Sequence, residues 1–338
     1  MSKHERITVL GAGGWGTTLS LILADNGYTV RLWTVEESVK NDIETRRENT
    51  VYLPGVTIPG GVRVTTDLNQ SLDGSTMVVV AVPSKYLDGI LNQIPKPFSP
   101  DVCLLSVVKG ISPETFETMS EVISGKLGLQ DNHPLAVLSG PNLAYEVSRK
   151  IPSTTVVASK NIETAQRFLQ VFMASHFRVY VTDDVRGVEL GGALKNVIAL
   201  GAGISDGLGY GANAKAALIS RGLVEMVRLG RFLGARTETF FGLSGLGDMV
   251  ATCTSQHSRN RTLGERLTGG EKLDDILTST KTVAEGVGTT RAVHNLSLNR
   301  SLAMPITETV YRVLFKGRSC IDGVKDLMER NPKEEWEI

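Results

Sequence analysis

Gly11-Ala-Gly-Gly-Trp-Gly16 follows the β-branched run at residues 7–10 and leads into a helix-like stretch at 15–26. A GxGxxG pattern between a strand and a helix is suited to cradling a pyrophosphate. Gly11 allows the tight turn, and Gly13 lets the backbone approach the anion. Gly16 lets the helix pack closely on the strand, with the helix N-terminus facing the charge. Gly14 and Trp15 complete the turn. Such a site calls for an acidic residue about 20 positions on, to take the adenosine ribose. Counting from Gly16 gives Glu36, just past a strand at 29–33. Glu36 reads equally well as an acidic residue favouring a helix N-terminus. On the ribose it would favour NAD over NADP, because a carboxylate repels a 2′-phosphate. The nearest downstream basic pair, Arg46-Arg47, sits awkwardly on its helix for reaching that phosphate.

The pattern around this motif repeats. Further strand-like runs at 77–82, 102–107, 135–138 and 154–158 are almost continuously apolar, as expected of parallel strands buried on both faces. Helical stretches at 36–47, 84–93 and 162–172 lie between them, so the first half reads as a doubly wound α/β domain. From about Thr182 strand-like runs nearly vanish. Long helical stretches at 185–203 and 212–233 follow, the first rich in small residues, with Gly201 and Gly203 placed for close helix packing. The expected domains are a dinucleotide-binding domain over 1–183 and an all-helical substrate and catalytic domain over 184–338. Residues 331–338 read as a tail.

Lys+Arg and Asp+Glu both number 36, so the chain has no net charge and no basic stripe to attract nucleic acid. Any anion it binds is held by locally placed groups. Cys103, Cys253 and Cys320 are widely spaced, and His4, His133, His176, His257 and His294 show no ligand spacing. A disulfide framework and a metal site are therefore not expected, and a reducing compartment is. The amino terminus enters the first strand too soon for a signal peptide, and no apolar run approaches a membrane span. These features together point to the cytoplasm and to a small-molecule partner.

Two lysines stand out by their surroundings. Lys109 lies at a strand's carboxyl end, where open α/β sheets bind ligands, and Lys195 lies within Gly191-Gly-Ala-Leu-Lys-Asn196 on the small-residue helix. Either reads as a solvated surface charge. A buried ammonium can instead protonate the oxygen of a ketone receiving a hydride, and burial lowers its pKa towards the working range. Lys195 is the candidate acid/base, and Asp248 in Gly245-Leu-Gly-Asp248 can orient it or simply end a turn. Ser258-Arg-Asn260 reads as a helix start suited to a phosphate monoester: Ser258 caps, Arg259 offers a planar fork and Asn260 offers amide donors. A surface helix with scattered arginines is the plainer alternative. Cys253 has no base beside it and reads as packing.

Taken together, the chain resembles the bacterial-type NAD(P)-dependent glycerol-3-phosphate dehydrogenases over nearly its whole length. The resemblance rests on Gly11-Ala-Gly-Gly-Trp-Gly-Thr-Thr18, Tyr52-Leu-Pro-Gly55, Val108-Lys-Gly-Ile111, Leu138-Ser-Gly-Pro-Asn142, Gly192-Ala-Leu-Lys-Asn196, Gly245-Leu-Gly-Asp248, Ser258-Arg-Asn260, Val283-Ala-Glu-Gly286 and Met304-Pro-Ile306, all in order. It implies a Rossmann-type N-terminal domain and a helical C-terminal domain. It also implies hydride transfer between NAD(P)H and dihydroxyacetone phosphate, supplying sn-glycerol 3-phosphate for phospholipid synthesis, and a homodimer. By resemblance Lys195 is the proton donor and acceptor. Lys109, Gly140, Asn142, Asp248, Ser258, Arg259 and Asn260 stand at substrate-binding positions, while Trp15, Lys109, Ala144, Arg259, Val283 and Glu285 stand at cofactor-contacting ones. Two departures are seen. Asn142 replaces a serine common in bacterial members, and the chain lacks the basic residue that many carry near Thr34, which again favours NAD. A 3-hydroxyacid-type dehydrogenase would want a carboxylate clamp rather than a phosphate site. A non-catalytic redox sensor would be expected to lack Lys195 or Asp248.

Overall fold

The structure, a computed structural model, describes residues 5–280, 282–332 and 334–335. His4, and residues 333 and 336–338 of the expected tail, lie outside the described residues. The chain divides into two compact units, Met1–Val108 with Met119–Val185, and Lys109–Thr118 with Arg186–Ile338.

The first unit runs β1 (Arg6–Leu10), α1 (Gly14–Asp25), β2 (Thr29–Trp33), α2 (Glu37–Arg46), β3 (Glu48–Asn49), β4 (Leu53–Thr57), β5 (Val62–Thr65), α3 (Leu68–Leu72) and β6 (Met77–Val80). It continues through α4 (Ser84–Leu91), β7 (Cys103–Ser106), α5 (Met119–Leu127), β8 (Leu135–Ser139), α6 (Ala144–Val147), β9 (Ser153–Ala158), α7 (Ile162–Phe172) and β10 (Phe177–Thr182). Eight strands form one sheet in the order β10-β9-β8-β7-β6-β1-β2-β5, and β3 pairs with β4 apart from it.

The apolar runs are continuous because successive side chains feed opposite faces. Ile7, Val9, Met77, Val79, Cys103 and Leu105 join the core shared with α1 and α7, whereas Leu10, Val78, Val80 and Leu104 join the core shared with α4 and α5. Strand order reverses between β1 and β6, and that switch point is where ligands bind in open sheets of this kind.

The sheet is not wholly parallel. β9 runs antiparallel to β8, with Leu138 opposite Val157, while the remaining pairings in the sheet are parallel. β3, β4, β5 and β10 fall outside the strand-like runs read from the sequence. β4 carries Pro54 and Gly55, both depleted in strands, and β10 at the sheet edge alternates buried and exposed residues.

Among the described residues, the second unit is built from α8 (Val185–Gly207), α9 (Ala212–Phe232), α10 (Thr237–Phe241), a π-helical turn (Leu243–Gly247), α11 (Asp248–Thr254), α12 (Arg259–Thr268), α13 (Leu273–Ser279), α14 (Glu285–Asn299), α15 (Pro305–Phe315) and α16 (Cys320–Met328). α8 is its axis and is buried over most of its length. Its glycines admit neighbouring backbone: a Cβ on Gly203 would stand 1.9 Å from the Arg261 carbonyl oxygen. Segment Lys109–Thr118 folds with this unit because Ile111 enters its core. No helix among the described residues is long and apolar enough to cross a membrane.

Candidate active site

In the first unit the chain leaves β1 through Gly11, whose φ of 115° few residues but glycine adopt. A Cβ on Gly16 would meet the Gly11 carbonyl oxygen at 1.9 Å, so the loop and the first turn of α1 pack backbone to backbone. Gly14 backs onto the Tyr52 carbonyl, whereas the Cβ position of Gly13 has nothing within 4 Å. Gly13 is the N-cap of α1, whose first turn carries neither an acidic residue nor a side-chain cap. Unsatisfied amides and the positive end of the helix dipole suit a diphosphate there, so the residues fit a dinucleotide. The Trp15 ring packs against Phe177, with centroids 6.3 Å apart. Ala144 opens α6, and its carbonyl accepts a hydrogen bond from the Thr18 hydroxyl at 3.3 Å.

Glu36 occupies the N-cap position of α2, but its side chain does not cap. Its carboxylate accepts a hydrogen bond from the Tyr52 hydroxyl at 2.8 Å. Arg46 pairs with Asp42, and the Arg47 guanidinium is taken up by the carbonyls of Ile58, Pro59 and Val62. Gly140 follows β8 at a φ of 153°. The Asn142 amide nitrogen donates to the Thr154 carbonyl at 2.8 Å, which leaves its buried Oδ1 without a partner.

In the second unit, Lys109, Lys195 and Asp248 meet. Asp248 opens α11 immediately after the π-helical turn and accepts from Lys109 Nζ at 2.5 Å and from Lys195 Nζ at 2.9 Å, one oxygen to each. Lys195 is 6% exposed and Asp248 2%, so neither is a solvated surface charge. Lys195 also donates to the Thr252 hydroxyl at 2.6 Å, and that hydroxyl lies 3.1 Å from Asp248 Oδ1. Burial pushes the Lys195 pKa down to about 8, against the pull of Asp248 and with a further push from Lys109. Burial opposes ionisation of Asp248, yet the two ammonium groups hold its carboxyl below the ordinary value. Cys253, on the same helix, is pushed up to about 12 by burial and is no nucleophile.

Ser258 caps α12, accepting from the Arg261 amide at 3.3 Å. Arg259 is the exposed first residue of that helix, and Asn260 is buried. The Asn260 amide is partly committed to the protein. Its nitrogen donates to Asn196 Oδ1 at 2.8 Å, and its oxygen accepts from the Gly286 amide at 2.9 Å. Asn260 thereby ties α8, next to Lys195, to the start of α14, where Glu285 stands two residues after Val283.

Comparison with known proteins decides the family. The chain matches the N-terminal model of NAD-dependent glycerol-3-phosphate dehydrogenase over residues 6–165 and the C-terminal model over 184–325. It belongs to the NAD-dependent glycerol-3-phosphate dehydrogenase family. Among its relatives are the glycerol-3-phosphate dehydrogenases [NAD(P)+] of Geobacillus thermodenitrificans, 49% identical, and Bacillus pumilus, 46% identical. Each alignment covers 98% of this chain and 96% of the relative. Among solved structures, the glycerol-3-phosphate dehydrogenase of Coxiella burnetii superposes with a TM-score of 0.93 at 37% identity, covering 97% of this chain and 100% of that one.

In this family member three polar side chains complete the geometry without having been singled out from sequence. Thr252 stands four residues after Asp248, hence on the same helix face. Asn196 adjoins Lys195, and Tyr52, in the β3–β4 turn, meets Glu36 at the start of α2. The first two carry a local signal. The third is a tertiary contact that spacing cannot reveal.

Gly191, one turn before Lys195, sets how closely the π-helical turn approaches α8. A Cβ there would stand 2.9 Å from the Ser244 carbonyl oxygen and 3.2 Å from the Gly245 nitrogen, both backbone atoms that cannot swing aside. Gly191→Ala is expected to cost about 1–3 kcal/mol, the usual range for overpacking. Urea unfolding followed by circular dichroism measures it, and a loss below about 0.5 kcal/mol would show that the turn yields.

Proposed function

We propose that this chain interconverts dihydroxyacetone phosphate and sn-glycerol 3-phosphate, using Lys195 as the proton donor and acceptor. The observation that carries the reading is the buried Lys195 ammonium, held between Asp248 and Thr252 with its pKa brought down to about 8. A group poised there is charged at neutral pH yet able to release its proton.

Gly11, Gly13, Gly14, Gly16 and the N-terminus of α1 would hold the pyrophosphate, with Glu36 on the ribose. Trp15, Lys109, Ala144, Arg259, Val283 and Glu285 would complete the cofactor contacts. When bound, the reduced nicotinamide supplies the hydride that reaches C2 of the ketone. Lys195 protonates the oxygen as charge develops on it, and Asp248 keeps the ammonium aimed and charged. Lys109 polarises the substrate. Ser258, Arg259 and the remaining amide hydrogen of Asn260 grip its phosphate, and Gly140 and Asn142 would add substrate contacts. NAD is the preferred cofactor in this reading, supported by the Glu36 carboxylate and by the engagement of Arg46 and Arg47 elsewhere. The reading extends to a homodimer in the cytoplasm, where free thiols such as Cys103, Cys253 and Cys320 persist. Light scattering of the purified chain tests the dimer.

NADH oxidation should be seen with dihydroxyacetone phosphate and not with dihydroxyacetone. The rate of ketone reduction should fall as pH rises through about 8, because Lys195 must be protonated to act. Lys195→Ala should lower kcat by roughly 10²-fold or more and abolish that limb of the pH profile. A variant retaining near-normal kcat would remove Lys195 from the chemistry.

A further inference from the structure

The first unit holds an unassigned fastening around the cofactor loop. Residues 49–52 span the end of β3 and its turn into β4, the small hairpin that stands apart from the main sheet. Asn49 is buried there, and its amide nitrogen donates to the Ala12 carbonyl at 2.8 Å and to the Thr17 hydroxyl at 2.9 Å, both within the glycine-rich turn and the helix it opens. Its oxygen accepts from the Tyr52 amide at 3.1 Å. The Tyr52 carbonyl lies against Gly14, and the Tyr52 hydroxyl donates to Glu36 Oε1. One short segment thus touches the pyrophosphate turn at one end and the ribose carboxylate at the other.

We infer that Tyr52 is a specificity-determining residue for the cofactor: its hydroxyl fixes the Glu36 carboxylate with one oxygen engaged and the other directed to a ribose 2′-hydroxyl. The inference rests on the reading of Glu36 given above and adds what holds it. Glu36 lies at the start of α2 with no capping bond, and its backbone amide donates to the Thr34 hydroxyl at 3.2 Å. Only the side-chain torsions then remain to be set, and Tyr52 sets them. A carboxylate free to rotate would lose the ordering that makes it a good acceptor for a hydroxyl and a fixed repulsive charge against a phosphate. Burial, with Glu36 beside it, pushes the Tyr52 phenol up to about 12, so the donor stays protonated over the working pH range.

Tyr52→Phe removes only the hydroxyl and keeps the ring and the Asn49 link, so the fold should be retained. The ratio of kcat/KM with NADH to that with NADPH should fall about fivefold, the usual weight of one hydrogen bond, while KM for dihydroxyacetone phosphate holds. Glu36→Gln serves as the reference and should also lower the ratio. If Glu36→Gln lowers it and Tyr52→Phe leaves it unchanged, the role of Tyr52 is overturned while that of Glu36 stands. If Glu36→Gln leaves it unchanged, the ribose reading fails and the inference with it. A Tyr52→Phe variant that weakens both cofactors equally assigns Tyr52 to support of the glycine-rich turn and likewise overturns the inference.

Discussion

A carboxylate sealed from water beside two ammonium groups is the constraint around which the second unit is arranged. Asp248 receives Lys109 on one oxygen and Lys195 on the other. Removing Asp248 would strand the buried Lys195 ammonium in a poorly solvated site, a change that commonly costs several kcal/mol. The surrounding backbone makes the meeting possible. Gly191 admits the π-helical turn, the turn delivers Asp248 to the start of α11, and Thr252 lies one turn further on. Insertions of this π type recur at functional sites, where they re-aim a side chain that a regular helix would point elsewhere. Two positive charges and one negative leave a local excess of one, which suits an anionic substrate in a chain of zero net charge.

The first unit uses backbone where the second uses charge. Its proposed anion site is a glycine-lined helix end, where the Gly11 carbonyl bars a Cβ on Gly16 and the Ala81 carbonyl bars one on Gly11. The β3–β4 hairpin, outside the main sheet, connects that turn to Glu36 through Asn49 and Tyr52. Cofactor selection in this account is therefore a property of a loop and a hairpin, while proton handling is a property of buried helices.

Much of this was legible in the residues. The glycine-rich turn lies between the strand and helix that its spacing implies, and α7 runs over the residues read from its pattern. Lys195 stood out because a lysine on a Gly/Ala-rich helix has little to solvate it, and it is buried. What escaped was non-local. The antiparallel course of β9 depends on its partner, since the same apolar run serves either direction. In sequence Asn260 reads as an open amide, yet Asn196 and Gly286 engage it from elements distant in sequence. Membership of Lys109–Thr118 in the helical unit is set by the burial of Ile111, not by any change in texture.

The most direct test of the central claim is the titration of Lys195 itself, followed by NMR of side-chain-labelled lysine in the intact chain and in Asp248→Asn. A midpoint near pH 8 is expected in the native chain. A lower midpoint is expected in the variant, because the carboxylate that favours the ammonium is gone. A Lys195 resonance titrating at the value of an ordinary exposed lysine, and indifferent to Asp248, would contradict it.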